Sequence, residues 1–210
     1  QHASYRRQRQ MCIRDRSNLD NSKVDKIVSD ALHKADDGEL FMEFCESESF
    51  VYDDQRLKSA SFDTSKGFGL RAIAGESSGY AHSSDIDENA LKKASETVNF
   101  ITKDHNANFN ANFSKTNRKL YNEINPINET EFSEKVETLK KIDEYARSKN
   151  PNVKQVSASL NGEWQAVRIY RPGGIMIEDL RPLVRLYVSI VLEKDGRQEN
   201  GSRGSGGRVD

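Results

Sequence analysis

Between Leu183 and Leu192 apolar and polar side chains alternate, with Val184, Leu186, Val188, Ile190 and Leu192 on one parity and Arg185, Tyr187 and Ser189 on the other. Successive strand side chains point to opposite faces, so this pattern predicts a β-strand with one buried face. A slip of one residue would turn the whole apolar set to water. A single strand cannot bury that face by itself, so the chain must supply further strands and something to cover them.

Further strands are legible. Val153–Leu160 and Trp164–Tyr170 alternate, and in Leu40–Tyr52 the apolar Leu40, Met42 and Phe44 share one parity. Arg56–Phe62 and Gly67–Ala74 read as two more, the latter placing Phe68, Leu70, Ala72 and Ala74 together. Asp53-Asp54-Gln55 makes a turn, and Gly75-Glu76-Ser77-Ser78-Gly79 is a hairpin signal leading into Tyr80-Ala81-His82.

Helices cover these strands. Val24, Ile27, Val28, Ala31, Leu32 and Ala35 recur at helical spacing behind an expected N-cap at Ser22, and Asp36-Asp37-Gly38 stops that helix. Ile86, Ala90, Leu91, Ala94, Val98 and Ile101 mark a second helix, capped by Asp85 or Asp87. Phe132, Val136, Leu139, Ile142 and Ala146 mark a third, ending before Asn150-Pro151. Between the second and third, residues 104–128 hold eight asparagines, a residue that competes with the backbone for hydrogen bonds and so suits a linker.

The expected fold class is α+β. A first helix–antiparallel strands–helix domain spans residues 20–103, the Asn-rich linker 104–128, and the helix-plus-sheet start of a second, truncated domain 129–210. The chain ends in Gly201–Arg208 with no packing element after it, so the ending reads as a cut.

Composition agrees. Hydrophobic residues make up 35% of the chain, below the roughly 45–50% of compact globular chains even with glycine counted. Part of the chain is therefore unpacked or part of the protein is absent. No apolar run reaches the roughly 18 residues of a membrane span, and no signal peptide opens the chain, which argues against membrane insertion and secretion. Two cysteines, Cys12 and Cys45, cannot build a disulfide framework, so a reducing, cytoplasmic setting is expected.

Residues 1–16 carry five arginines against one aspartate. Basic side chains do not continue into a fold, so nucleic-acid binding is not the expected role. The chain opens on Gln1, and Met11–Arg16 resembles translated sequencing adapter; residues 1–16 are set aside as a non-native arm.

The chemistry-bearing residues are sparse. His2, His33, His82 and His105 each stand alone, without the two histidines one turn apart that a metallopeptidase helix requires. His82, close to Asp85 and Asp87, reads as a capping or surface residue. Cys45 lies among Glu43, Glu46 and Glu48, which raise a thiol pKa and weaken it as a nucleophile. The acidic run Glu43–Glu48 reads as a solvated strand face. Gly67-Phe68-Gly69 and Gly204-Ser205-Gly206-Gly207 lack the lysine of a phosphate loop and read as sharp turns or close backbone approaches. Trp164 and Tyr170 share one parity and read as core or interface. No catalytic, cofactor-binding or metal-binding residue is assigned.

A set of ordered blocks nevertheless resembles a known family. Leu120-Tyr121, Asn125-Pro126, Lys140–Arg147, Val156–Leu160, Gly162-Glu163-Trp164-Gln165 and Arg181–Leu186 are similar to the TldD/PmbA zinc metallopeptidases, with the last block favouring the TldD type of subunit. Glu46–Ser49, Lys58–Ser61, Gly67–Ala72 and Gly79-Tyr80-Ala81 fit the same family's first domain. The resemblance implies a cytoplasmic zinc-dependent peptidase that forms a heterodimer with a TldD/PmbA-type partner subunit and cleaves unfolded peptides bound in extended form. It further implies a third domain whose His-Glu-x-x-x-His helix and cysteine hold the zinc. No residue here matches that motif, so the 210-residue chain is expected to form shell, dimerisation and substrate-chamber parts and to be inactive alone. The alternative is a non-catalytic peptide- or partner-binding module. Whether Arg56, Arg71 or Arg168 faces a chamber is left open.

Overall fold

A computed structural model describes residues 19–103, 105, 120–122 and 124–208. The arm at 1–16, with His2 and Cys12, and most of the Asn-rich tract at 104–128 lie outside the described residues.

Helix α1, Asn21–Leu32, buries Val24, Val28, Ala31 and Leu32, the stripe that the sequence marks. Its N-cap is Asp20, where Ser22 was expected. The Asp20 carboxylate, on extended backbone, accepts from Ser22 N at 2.8 Å and from Ser22 Oγ at 2.7 Å. An aspartate ahead of a serine competes for the same orphan N–H, and here the charged acceptor wins. Helix α2, Glu88–Thr102, is capped by Asp87, which accepts from Ala90 N at 2.8 Å, and buries Leu91, Ala94 and Val98. Pro126–Asn128 forms a 3-10 turn, and α3, Phe132–Lys149, buries Leu139 and Ala146.

The strands are longer than the sequence suggests. They are β1 (Asp37–Asp53), β2 (Arg56–Ala74), β3 (Ser77–Ser83), β4 (Val153–Arg171), β5 (Ile175–Lys194) and β6 (Arg197–Gly207), in the sheet order β3-β2-β1-β4-β5-β6. The fold class is α+β, as expected. Two pairs of expected strands are single strands. Asp63–Lys66 continues β2, and Asn161-Gly162-Glu163 continues β4, because neighbouring strands supply the ladder that local propensity does not. Gly162 sits mid-strand for a steric reason: a Cβ there would lie 3.0 Å from Glu48 Oε1.

Strand β6 is an addition to the sequence reading, which marked no strand over Gly201–Arg208. It pairs antiparallel with β5 from Lys194↔Arg197 to Val184↔Gly207. The connecting Asp195-Gly196 has φ of 53° and 78°, the left-handed pair that a two-residue hairpin turn needs. Asp54 and Gln55, at 46° and 65°, turn β1 into β2 in the same way. Close backbone approach, one of the two readings of the glycines, is found at Gly206, where a Cβ would overlap Val184 O and lie 3.0 Å from Arg185 Cα.

The chain divides into two compact units. The first comprises Gln1–Cys45, Ser65–Glu123 and Gln165–Leu180; the second comprises Glu46–Thr64, Ile124–Trp164 and Arg181–Asp210. In the first, α1 packs on α2 and α2 on β3, over a core of Leu40, Met42, Phe68, Leu70 and Ala72. In the second, Leu139 of α3 meets Phe50, Tyr52 and Ala158, flanked by Ile142, Leu160 and Val188.

Candidate functional site

Two buried ionic clusters stand out, one in each unit. In the second unit Glu48 of β1 is 6% exposed and Lys135 of α3 is 7% exposed. The Lys135 ammonium donates to Glu48 Oε2 at 2.6 Å and to Ile127 O at 2.7 Å, and lies 5.7 Å from the centroid of the Phe50 ring. Phe62 and Phe132 flank Phe50 with ring centroids 5.6 and 5.5 Å away. A buried charge survives only when its hydrogen-bonding capacity is filled, and carboxylate, carbonyl and ring face together do this for the ammonium. Asn125 continues the cluster: its amide donates to Glu46, while its Oδ1 accepts from Ile127 N at 3.1 Å and caps the 3-10 turn.

The acidic run Glu43–Glu48 is therefore not the solvated face that sequence suggested. Glu43 accepts from Gln165 Nε2 at 2.7 Å, Glu46 is held by Asn125, and Glu48 is in the core. The signal that could have revealed this is Lys135 itself, four residues ahead of Leu139 and so on the buried stripe of its helix. Cys45, between these glutamates, is half-buried.

In the first unit Arg168 of β4 is 3% exposed and pairs with Glu178 of β5 through Nε at 2.8 Å and through Nη2. Its Nη1 donates to the Tyr170 hydroxyl at 3.4 Å, and that hydroxyl donates to Asn21 Oδ1 at 2.9 Å. Burial acts to lower the guanidinium pKa, but the tyrosine and glutamate outweigh it and the net direction is up. Burial raises the Tyr170 pKa, so the phenol stays a neutral donor. Tyr170 and Trp164 are both buried, as their shared parity suggested. Arg71, by contrast, is exposed on β2, as is Arg56.

His82 is exposed on β3, its ring 5.7 Å from that of Tyr80. A surface position for it holds; the cap of the following helix is Asp87. The Tyr80 ring lies over Gly69, where a Cβ would come 2.6 Å from the Tyr80 hydroxyl oxygen. His105 meets Asp36 at 2.8 Å, and Gly75 N donates to the same carboxylate oxygen at 2.6 Å.

Among the described residues no three His, Cys, Asp or Glu side chains converge on a point where a metal ion could sit. The carboxylates just described are already engaged by lysine, arginine or amide donors, the wrong surroundings for a cation. These residues do not fit a zinc site, and no step through zinc is derived from them.

The arrangement defines an α+β fold of a particular class. The sequence profile of the PmbA/TldA metallopeptidase domain 1 matches residues 38–99, and that of the PmbA/TldA metallopeptidase central domain matches residues 125–210. The chain belongs to the TldD/PmbA metallopeptidase family. It is 34% identical over 196 residues to a Haemophilus influenzae protein named Metalloprotease TldD homolog, covering 91% of this chain and 41% of that protein. A Buchnera aphidicola protein of the same name is 29% identical over 83% of this chain and 36% of its own length. The chain thus spans about two-fifths of the length of these relatives. Among solved structures, TldE from Thermococcus kodakarensis superposes with a TM-score of 0.62 at 17% identity, over 89% of this chain and 43% of that one. A Bacteroides thetaiotaomicron protein described as a modulator of DNA gyrase gives 0.67 at 14%, over 88% and 44%. At these identities the likeness concerns the fold alone.

Proposed function

We propose that this chain is the shell and dimerisation part of a TldD-like zinc metallopeptidase that cleaves unfolded peptides. The observation that carries the reading is the match to the family's domain 1 and central domain, in that order, in one chain. The domains are read as 20–103 and 129–210 joined by the linker 104–128, with residues 1–16 foreign to the protein. The zinc-bearing domain lies elsewhere in the longer polypeptide, and the partner is a TldD/PmbA-type subunit with which a heterodimer forms. The solved TldE fold supports a partner of this kind. No helix among the described residues is long and apolar enough to cross a membrane, and the cytoplasm is the proposed compartment.

In this reading the buried clusters are structural. The Lys135–Glu48 and Arg168–Glu178 pairs hold strands and helix in register so that walls, not reacting groups, are presented to substrate. The chain alone is therefore expected neither to bind zinc stoichiometrically in a calorimetric titration nor to hydrolyse an unstructured fluorogenic peptide. Tight zinc binding with peptide cleavage would overturn the assignment of catalysis to other residues. Sequencing the locus past Asp210 tests the parent activity: a frame continuing to His-Glu-x-x-x-His supports it, and an immediate stop codon refutes it.

A further inference from the structure

Two Asn-Gly pairs lie in the second unit, Asn161-Gly162 in β4 and Asn200-Gly201 in β6. An asparagine followed by glycine is chemically labile. The glycine amide nitrogen, with no Cβ beside it to obstruct ring closure, can attack the side-chain carboxamide. A bond forms between that nitrogen and the asparagine Cγ, the bond from Cγ to the side-chain nitrogen breaks, and ammonia leaves. Water then opens the five-membered imide at one of its two carbonyls, giving aspartate or isoaspartate. The attack needs a nitrogen released from the β-ladder and a side chain free to swing over it, because extended backbone holds the two groups apart.

The fold treats the two pairs differently. Strand β4 lies between β1 and β5 in the sheet, and Asn161 Oδ1 accepts from Ser49 Oγ at 2.8 Å. The buried Glu48 side chain closes over Gly162, its Oε1 3.0 Å from where a Cβ would stand. Asn200 has none of these restraints. Strand β6 ends the sheet with β5 as its neighbour, and every residue from Arg197 to Gly206 is exposed. No hydrogen bond holds the Asn200 side chain among the described residues, and no atom lies within 4 Å of where a Cβ on Gly201 would stand.

What protects Asn200 is the ladder alone. From the closing pair Lys194↔Arg197 of the two-residue turn, hydrogen-bonded pairs alternate through Leu192↔Glu199 to Ile190↔Gly201. Glu193 N, in an intervening pair, donates instead to Asn152 O at 2.8 Å. The Gly201 N–H is therefore aimed at β5 and is released only when β6 opens. A strand that buries no side chain opens at low cost.

We propose that Asn200 is a site of spontaneous deamidation in this chain, gated by the opening of β6, while Asn161 is protected. Isoaspartate at 200 adds a backbone carbon ahead of Gly201 and puts residues 201–207 out of register with β5. The added length carries Ser205 towards the place of Gly206, where a Cβ would overlap Val184 O. The strand cannot recover by slipping, and its end is released. The proposal does not depend on the peptidase reading.

The test incubates the 210-residue chain in mildly alkaline buffer. Mass spectrometry of the tryptic peptides Gln198–Arg203 and Gln155–Arg168 follows the exchange of NH for O. Asn200 should convert at least about tenfold faster than Asn161, equivalent to about 1.4 kcal/mol less in opening free energy. In guanidinium chloride, where no ladder exists, the two rates should converge. Gly201→Val, whose side chain enters free space, should suppress the reaction without lowering the melting temperature. The isoaspartate form, isolated by ion exchange, should lose amide protection over residues 201–207, whereas Asn200→Asp, with the same charge on an ordinary backbone, should keep it. Equal rates in the folded chain, a faster Asn161, or a difference that persists in denaturant would overturn the proposal. So would an Asn200 that stays intact in the folded chain for as long as denaturant takes to convert it fully.

Discussion

Lys135 and Glu48, 87 positions apart in the chain, form a 2.6 Å ion pair in the core of the second unit, each side chain less than a tenth exposed. Their separation in sequence makes the pair a register pin between α3 and β1. Removing one partner leaves the other charge buried and uncompensated.

Lys135→Met is accordingly expected to destabilise the chain by about 3–5 kcal/mol. The double variant Lys135→Met/Glu48→Met should recover most of that loss, because no charge then remains in the core. Urea denaturation of the two variants and the wild type checks the expectation; a double variant no better than the single one would refute it.

Tyr170→Phe removes the hydroxyl that joins Arg168 to Asn21 at the start of α1. Asn21 and Arg168 each lose a buried partner, at a cost of about 1–3 kcal/mol. Denaturation midpoints measure the loss. A variant as stable as the wild type would mean that water replaces the hydroxyl without cost.

Gly206→Ala and Gly207→Ala should separate sharply although the glycines are adjacent. At Gly206 a Cβ overlaps the β5 backbone, which cannot yield as a flexible side chain can; at Gly207 it meets nothing within 4 Å. Amide hydrogen exchange on β5 and β6 should show unzipping of that end of the hairpin only in Gly206→Ala.

The Gly75 amide, first, and His105, second, hold the Asp36 carboxyl below its ordinary value of 3.8. A depressed carboxyl pKa stabilises the fold above its unfolded value, and the contribution is lost as pH falls through the folded one. Asp36→Asn should therefore lower the melting temperature at neutral pH and flatten its dependence on pH below about 4. An unchanged acid limb would show that Asp36 contributes nothing there.

The helices were legible because each writes its buried stripe into a short stretch: Val24, Val28 and Leu32 need no distant residue to declare themselves. Strand β5 was legible for the same reason, through its alternation. The burial of Glu48 was not, since it depends on a lysine that only the folded chain brings near. Strand β6 was missed because Gly201, Ser202, Gly204 and Gly206 carry no apolar pattern, and only hydrogen bonding to β5 makes them a strand. The family was readable from ordered sequence blocks, whereas the ionic clusters were invisible to local spacing, their partners lying up to 149 positions apart.

The two compact units are each assembled from three separated stretches, the first needing residues as late as Leu180 and the second residues as early as Glu46. Neither can be complete while the chain is still short. In the first unit the apolar parity of Leu40, Met42, Phe68, Leu70 and Ala72 is met by α1 and α2, and Tyr170 joins that core from much later in the chain. A polypeptide built in this order has α1 and α2 at hand to shelter its early strands, and a cut between residues 99 and 125, where the two family profiles part, would leave each compact unit without one of its stretches.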